Sequence, residues 1–132
     1  QIINLLKKLQ QELEISYLFI SHNIAVVAYL AHELAVMYLG RIVEAGTVEE
    51  VMGGPRHPYT RALLAAVPAT DPEKSVDAER LGDDLPSPAA PPSGCHFHPR
   101  CPLATAACRQ TYPAMRAVGA THRVACLLAG PL

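Results

Sequence analysis

The sequence predicts an α/β fold, and three observations carry that expectation. Ile2, Leu5, Leu6, Leu9 and Leu13 recur at i, i+3, i+4, i+7, with Lys7, Lys8, Gln10, Gln11 and Glu12 on the opposite face; this is the period of an amphipathic helix. Tyr17-Leu18-Phe19-Ile20 is a short apolar run without alternation, as in a strand covered on both faces within a parallel sheet. A second helical segment follows at once. Asn23 is a good N-cap, and Ile24, Val27, Ala28 and Ala31 make one apolar face of a helix reaching about Glu33.

The remaining elements follow from local signals. Leu34 to Leu39 is a second apolar strand, and Gly40-Arg41 is placed to turn it into Ile42-Val43-Glu44-Ala45 as a hairpin, with Gly46 ending the return strand. Thr47-Val48-Glu49-Glu50 has the capping-box spacing, and Gly53-Gly54 stops the short helix it opens. Pro58, pre-set for the first helical position, starts a helix from Tyr59 to about Val67, which Pro68 closes. Beyond it Pro68, Pro72, Pro86, Pro88, Pro91 and Pro92 stand among Asp, Ser, Gly and Ala without an apolar period, the composition of a linker. The last stretch, rich in Cys, His and Pro, shows no long helix or strand pattern and is too short to order itself by apolar burial, so a staple is expected. The expected organisation is an α/β piece over 1–67, a Pro-rich linker over 68–94 and a Cys-rich module over 95–132.

Composition excludes several classes. The 132 residues leave room for about one full domain. Eleven Lys and Arg against twelve Asp and Glu give a net charge of −1, so no basic field gathers phosphate backbone, and no nucleic-acid partner is expected. Half of the residues are hydrophobic and 17% are charged, which excludes general disorder. Tyr17 to Gly40 is apolar enough to raise a membrane span, but His22, Asn23, His32 and Glu33 interrupt it; a charge at a helix centre costs about 2.5–3.5 kcal/mol on insertion, and a soluble protein is expected. The chain opens Gln1-Ile2-Ile3 inside an amphipathic pattern, without Met or a signal peptide, and reads as a piece of something longer.

Two places carry chemistry. Ser21-His22-Asn23 follows the Tyr17–Ile20 run, and polar residues past the carboxyl end of a buried parallel strand line the crevice where open α/β sheets bind ligands. A neutral imidazole there can accept a hydrogen bond from water or donate one to a phosphate oxygen. The second place is Cys95, Cys101, Cys108 and Cys126, spaced C-x5-C, C-x6-C and C-x17-C. Four thiolates suit a tetrahedral zinc site, a four-iron cluster or two disulfides, and the spacing alone selects none of them. His96, His98 and His122 are close enough in sequence to compete as ligands.

The stretch Leu18 to Val27, followed by Leu34-Ala35-Val36-Met37-Tyr38-Leu39-Gly40-Arg41-Ile42-Val43-Glu44-Ala45-Gly46, resembles the end of an ABC transporter ATPase domain. His22 falls on that family's switch histidine, which contacts the ATP γ-phosphate and helps position the attacking water; Asn23 stands where the family commonly has Asp. Pro55-Arg56-His57-Pro58-Tyr59-Thr60-Arg61-Ala62-Leu63 resembles a hallmark of the oligopeptide and dipeptide (peptide/nickel) importer ATPases. Gly94-Cys95-His96-Phe97-His98-Pro99-Arg100-Cys101-Pro102-Leu103-Ala104, with Cys108, Pro113 and His122-Arg123-Val124-Ala125-Cys126, is similar to their C-terminal extension, whose four cysteines hold a [4Fe-4S] cluster.

The resemblance implies the C-terminal part of a P-loop NTPase nucleotide-binding domain with a Cys-rich extension, belonging to the subunit that powers peptide import. It implies ATP and Mg in the complete protein, with His22 as the catalytic and γ-phosphate-contacting residue. Cys95, Cys101, Cys108 and Cys126 then ligate a [4Fe-4S] cluster, with zinc as the alternative. The implied partners are transmembrane permease subunits and a second ATP-binding subunit, with a peptide-binding protein acting indirectly. The implied location is peripheral, on the cytoplasmic face of the cell membrane, where the reducing cytosol disfavours disulfides. Lys7, Lys8 and Lys74 are the lysines, and none follows a glycine, so the phosphate loop is missing. So are the signature loop, the magnesium-binding Asp and the catalytic Glu, and this chain alone should not hydrolyse ATP. The rivals are a stand-alone zinc-stabilised interaction module and a thiol redox switch.

Overall fold

The computed structural model describes residues 1–67 and 86–130, so most of the expected 68–94 linker lies outside the described residues. Helix α1 (Ile2–Leu13) forms as its periodicity predicts. It meets α2 (Ile24–Leu30) through polar contacts: Lys7 Nζ donates to the Tyr29 carbonyl at 3.3 Å and sits 4.0 Å over the Tyr29 ring, while the Tyr29 hydroxyl donates to Asn4 Oδ1 at 3.0 Å. Asn23 caps α2 as expected, its Oδ1 accepting from Val26 N–H, but the helix ends at Leu30, three residues short of the expected Glu33.

The expected strand over Tyr17–Ile20 is absent: these residues are irregular, with Leu18 93% and Ile20 90% exposed. A buried parallel strand exists only through hydrogen bonds to strands on both sides, and no strand among the described residues runs beside it. The sheet that does form is antiparallel, with strands in the order Glu33–Tyr38, Arg41–Thr47, Arg123–Val124 and Arg116–Ala117; its first two strands are the hairpin that the sequence predicts, while the parallel pairing expected of Tyr17–Ile20 does not form. This is a mixed α/β arrangement built on a hairpin.

That hairpin is the backbone of the structure. Strand β1 (Glu33–Tyr38) pairs with β2 (Arg41–Thr47), with an irregularity between Val36 and Met37. Leu39 (φ +44°) and Gly40 (φ +76°) make the turn, one residue earlier than Gly40-Arg41; two central residues at positive φ match the right-handed twist of the flanking strands. Thr47 then closes the capping box of α3 (Val48–Gly53), its hydroxyl accepting from Glu50 N–H at 3.2 Å. Helix α4 (Pro58–Ala65) starts at the expected proline, with His57 as its N-cap.

Beyond the undescribed stretch come a single 3-10 turn (His98–Arg100), α5 (Ala106–Gln110), β3 (Arg116–Ala117) and β4 (Arg123–Val124). Strand β4 lies against β2, pairing Val124 with Glu44 and Arg123 with Ala45, and Ala125 N–H donates to the Val43 carbonyl at 2.8 Å. The core is shared accordingly. Tyr38 and Val43 of the hairpin pack with Phe97 of the Cys-rich stretch, Tyr59 lies against all of them, and the Tyr38 and Phe97 rings meet edge to face at 5.3 Å. Val118, Val124, Cys126 and Ala129 form a second cluster. No helix among the described residues is long and apolar enough to cross a membrane.

Candidate functional site

His22 lies on the exposed stretch immediately before α2. Its neighbours are ordered locally: the Ser21 hydroxyl accepts from Asn23 N–H at 3.0 Å, and Asn23 in turn caps the helix. This pair of turns holds the imidazole at the mouth of α2, open to solvent, instead of at the end of a covered strand.

The four cysteines come to one place. Cys95, Cys101, Cys108 and Cys126 all line a single shallow cleft, together with His57, Phe97 and His98. None of the four is in a disulfide. Gly94 makes this approach possible: at φ +65° it lets Cys95 N–H reach the Cys108 carbonyl at 2.8 Å. The 3-10 turn carries the chain from Cys95 to Cys101, with His98 N–H donating to the Cys95 carbonyl at 3.0 Å. Cys108 sits in α5 with the Thr105 hydroxyl 3.4 Å from its Sγ, and Cys126 lies two residues past β4. Burial pushes the Cys95 thiol up, and the nearness of Cys126, Cys108 and Cys101 adds to the rise, while a bond from Phe97 N–H opposes it. Among the described residues, no three His, Cys, Asp or Glu side chains converge tightly enough to hold a metal ion.

The histidines expected to compete as ligands have other roles. His122 is 4% exposed and its Nε2 lies 2.7 Å from Glu44 Oε1. His98 Nδ1 donates to the Cys95 carbonyl at 2.9 Å, and the His96 ring packs on Tyr112 at 5.1 Å.

Sequence reading missed the residue that joins the two halves. Glu44 is fully buried, with Oε1 accepting from Arg56 N–H at 2.6 Å and from His122, and Oε2 accepting from His57 N–H at 3.0 Å. One carboxyl group thus binds β2, the turn before α4 and the turn before β4, and these partners satisfy a polar group that would otherwise be costly inside the protein. Glu50 makes a second clasp from its capping box: it accepts from Thr121 N–H at 3.2 Å and from the Thr121 hydroxyl. The Thr121 hydroxyl contact does most to lower the Glu50 carboxyl to about 2, against an upward pull from loss of solvent. His57, 1% exposed, is drawn down to about 4 by burial, with Glu44 pulling weakly upward, and its ring is neutral at physiological pH. The available signal for Glu44 was a lone carboxylate between Val43 and Ala45 in an apolar strand.

Residues 43–108 match the family model described as the oligopeptide/dipeptide transporter, C-terminal region. The chain is 50% identical over 127 residues to a protein of Brucella ovis provisionally named a peptide import ATP-binding protein, covering 96% of this chain and 40% of that one. It is 48% identical over 134 residues to the oligopeptide transport ATP-binding protein OppF of Escherichia coli and 47% identical to that of Salmonella typhimurium, with 100% of this chain and 40% of each relative covered. The chain therefore spans about 40% of the length of the curated relatives it matches.

Proposed function

This chain belongs to the C-terminal region family of oligopeptide/dipeptide transporters, and from that premise we propose that it is the closing part of an ATP-binding subunit that powers peptide import. The observation that carries the reading is the family match running unbroken from β2 to Cys108. In the whole subunit ATP and Mg are the ligands, and His22 is this chain's contribution to the ATP site. The ring accepts a hydrogen bond from the attacking water or donates one to the γ-phosphate, and the Ser21 and Asn23 turns hold it there. The subunit works peripherally at the cytoplasmic face of the membrane, against transmembrane permease subunits and a second ATP-binding subunit, with a peptide-binding protein upstream.

The Cys-rich stretch is proposed to hold a [4Fe-4S] cluster on Cys95, Cys101, Cys108 and Cys126. What supports this is the donor set: four cysteines outside any disulfide line one cleft, with no Asp, Glu, Lys or Arg among its described lining residues. Among the described residues no three His, Cys, Asp or Glu side chains converge to hold a metal ion, for zinc as for a cluster, so the proposal rests on the donor set. In a four-iron cluster each thiolate meets a different iron, so the sulfurs ring a wider group. When bound, the cluster supplies a one-electron redox centre and a staple for a segment with little core of its own.

Two measurements test the reading. In the full-length, assembled transporter, His22→Ala is expected to lower ATP turnover by at least about tenfold, 1.4 kcal/mol of barrier, with ATP binding much less affected; wild-type turnover in that variant removes His22 from the mechanism. Anaerobically purified protein is expected to be brown, with about four irons and four sulfides per chain. Colourless protein with about one zinc per chain would replace the cluster with a structural zinc.

A further inference from the structure

His22 is carried by a short lever. It stands immediately before the Asn23 cap of α2, a helix of seven residues, and a helix this short has little stability of its own and takes its orientation from what it packs against. Among the described residues, the hydrogen bonds that tie α2 and its flanks to other elements lie at its far end. Leu30 is the buried residue of the helix, and just beyond it the His32 carbonyl accepts from Val48 N–H at 3.0 Å. The third anchor is Tyr29, which α1 grips from successive turns. Asn4 Oδ1 accepts from the Tyr29 hydroxyl at 3.0 Å, while Lys7 Nζ lies 4.0 Å over the ring and donates to the Tyr29 carbonyl at 3.3 Å. That carbonyl is in the last turn of α2, where it has no partner inside the helix, and a cation there also suits the negative end of the helix dipole. No residue of α1 is buried, so its hold on α2 is this polar grip.

We propose that Tyr29, gripped by Asn4 and Lys7, is a positioning residue for His22, fixing the direction of α2 and with it the place of the imidazole in the ATP site. The inference rests on the reading of His22 above. The Ser21 and Asn23 turns fix the imidazole to the start of α2, but they do not fix α2 to anything else; the grip on Tyr29 supplies that second half. His22 and Tyr29 are seven positions apart, about 10 Å along a helix rising 1.5 Å per residue, so a tilt of about 6° at the tyrosine carries the imidazole by about 1 Å. A misplacement of about 1 Å caused far from the chemistry costs up to about 100-fold in rate. Tyr29 therefore acts on the reaction through His22, by geometry, without touching the reacting atoms.

The test is a double-mutant cycle on steady-state ATP hydrolysis by the full-length subunit in the assembled transporter. Tyr29→Ala removes the ring and the hydroxyl and keeps the backbone carbonyl. Its kcat is expected to fall about tenfold, with KM for ATP within about twofold of wild type, because the imidazole acts in the chemical step and not in holding the nucleotide. In a His22→Ala background the same substitution is expected to change kcat by less than about twofold, since no imidazole is left to place. An equal loss in both backgrounds overturns the inference, because a general loosening of the subunit acts whether or not His22 is present. Wild-type kcat in Tyr29→Ala overturns it as well. If Tyr29→Ala does not fold, Tyr29→Phe and Lys7→Met, each removing one partner of an exposed contact, go through the same cycle, and equal losses with and without His22 again overturn it. Wild-type turnover in His22→Ala alone is a separate result: it removes the His22 reading, and the inference falls with it.

Discussion

Glu44→Ala is expected to cost the chain about 3–5 kcal/mol of stability, since each buried donor left without its acceptor costs about 1–3 kcal/mol. Three donors lose their acceptor at once: Arg56 N–H, His57 N–H and His122 Nε2. None has an evident substitute, because the carboxylate is fully buried and water does not replace it without a local opening. The loss should be regional in character. Denaturant unfolding reads its size, and hydrogen exchange at Val124 and Ala125, whose strand lies against β2, reads its place. Glu44→Gln, which keeps one acceptor oxygen and no charge, should fall between the two. A midpoint for Glu44→Ala within about 0.5 kcal/mol of wild type, the range of ordinary surface changes, would mean that the carboxylate is not the joint between hairpin and Cys-rich stretch.

Gly94→Ala is the second large effect. A Cβ there would stand 2.4 Å from the Cys108 carbonyl oxygen and 2.6 Å from the Arg109 carbonyl carbon, and φ is +65°. The obstacle is backbone, so it cannot swing away as a side-chain tip would. Left-handed strain of about 1–2 kcal/mol adds to the displacement of α5 from Cys95, and a total of about 3 kcal/mol or more is expected as Cys95 and Cys108 move apart. Gly40→Ala is the internal control: φ is +76° but nothing lies within 4 Å, so only the strain, about 1 kcal/mol, should appear. Equal losses at the two positions in thermal unfolding would show that the close approach at Gly94 carries no weight.

What the sequence displayed and what it concealed divide by distance along the chain. The Thr47–Glu50 capping box, the Asn23 cap, the Pro58 helix start and the Gly40 turn are all decided within four residues, and each signal was legible because the interacting atoms are neighbours in sequence. Glu44 and His122 are 78 positions apart, and no local pattern announces that pairing. The Tyr17–Ile20 run failed for a different reason. Hydropathy states that Leu18 and Ile20 favour cover, but a strand also needs hydrogen-bonding neighbours, and these residues have none among the described strands. The four cysteines were legible in sequence as a shared chemistry, while their gathering into one cleft beside His57 depends on contacts far apart in the chain.

The pairing of β4 with β2 also sets a timetable for the nascent chain. Roughly 80 residues separate the two strands, so at about 5–20 residues per second the ribosome needs several seconds after completing the β1–β2 hairpin before β4 exists. During that interval the side of β2 awaiting β4 is an unpaired edge, open to other chains, and Glu44 has yet to meet its histidine. An unpaired ionised carboxylate at that edge is strongly hydrated and resists edge-to-edge pairing, since a dry interface would strand its charge. The same side chain that later locks the finished structure therefore guards the unfinished one, a gatekeeper in synthesis before it is a keystone in the fold.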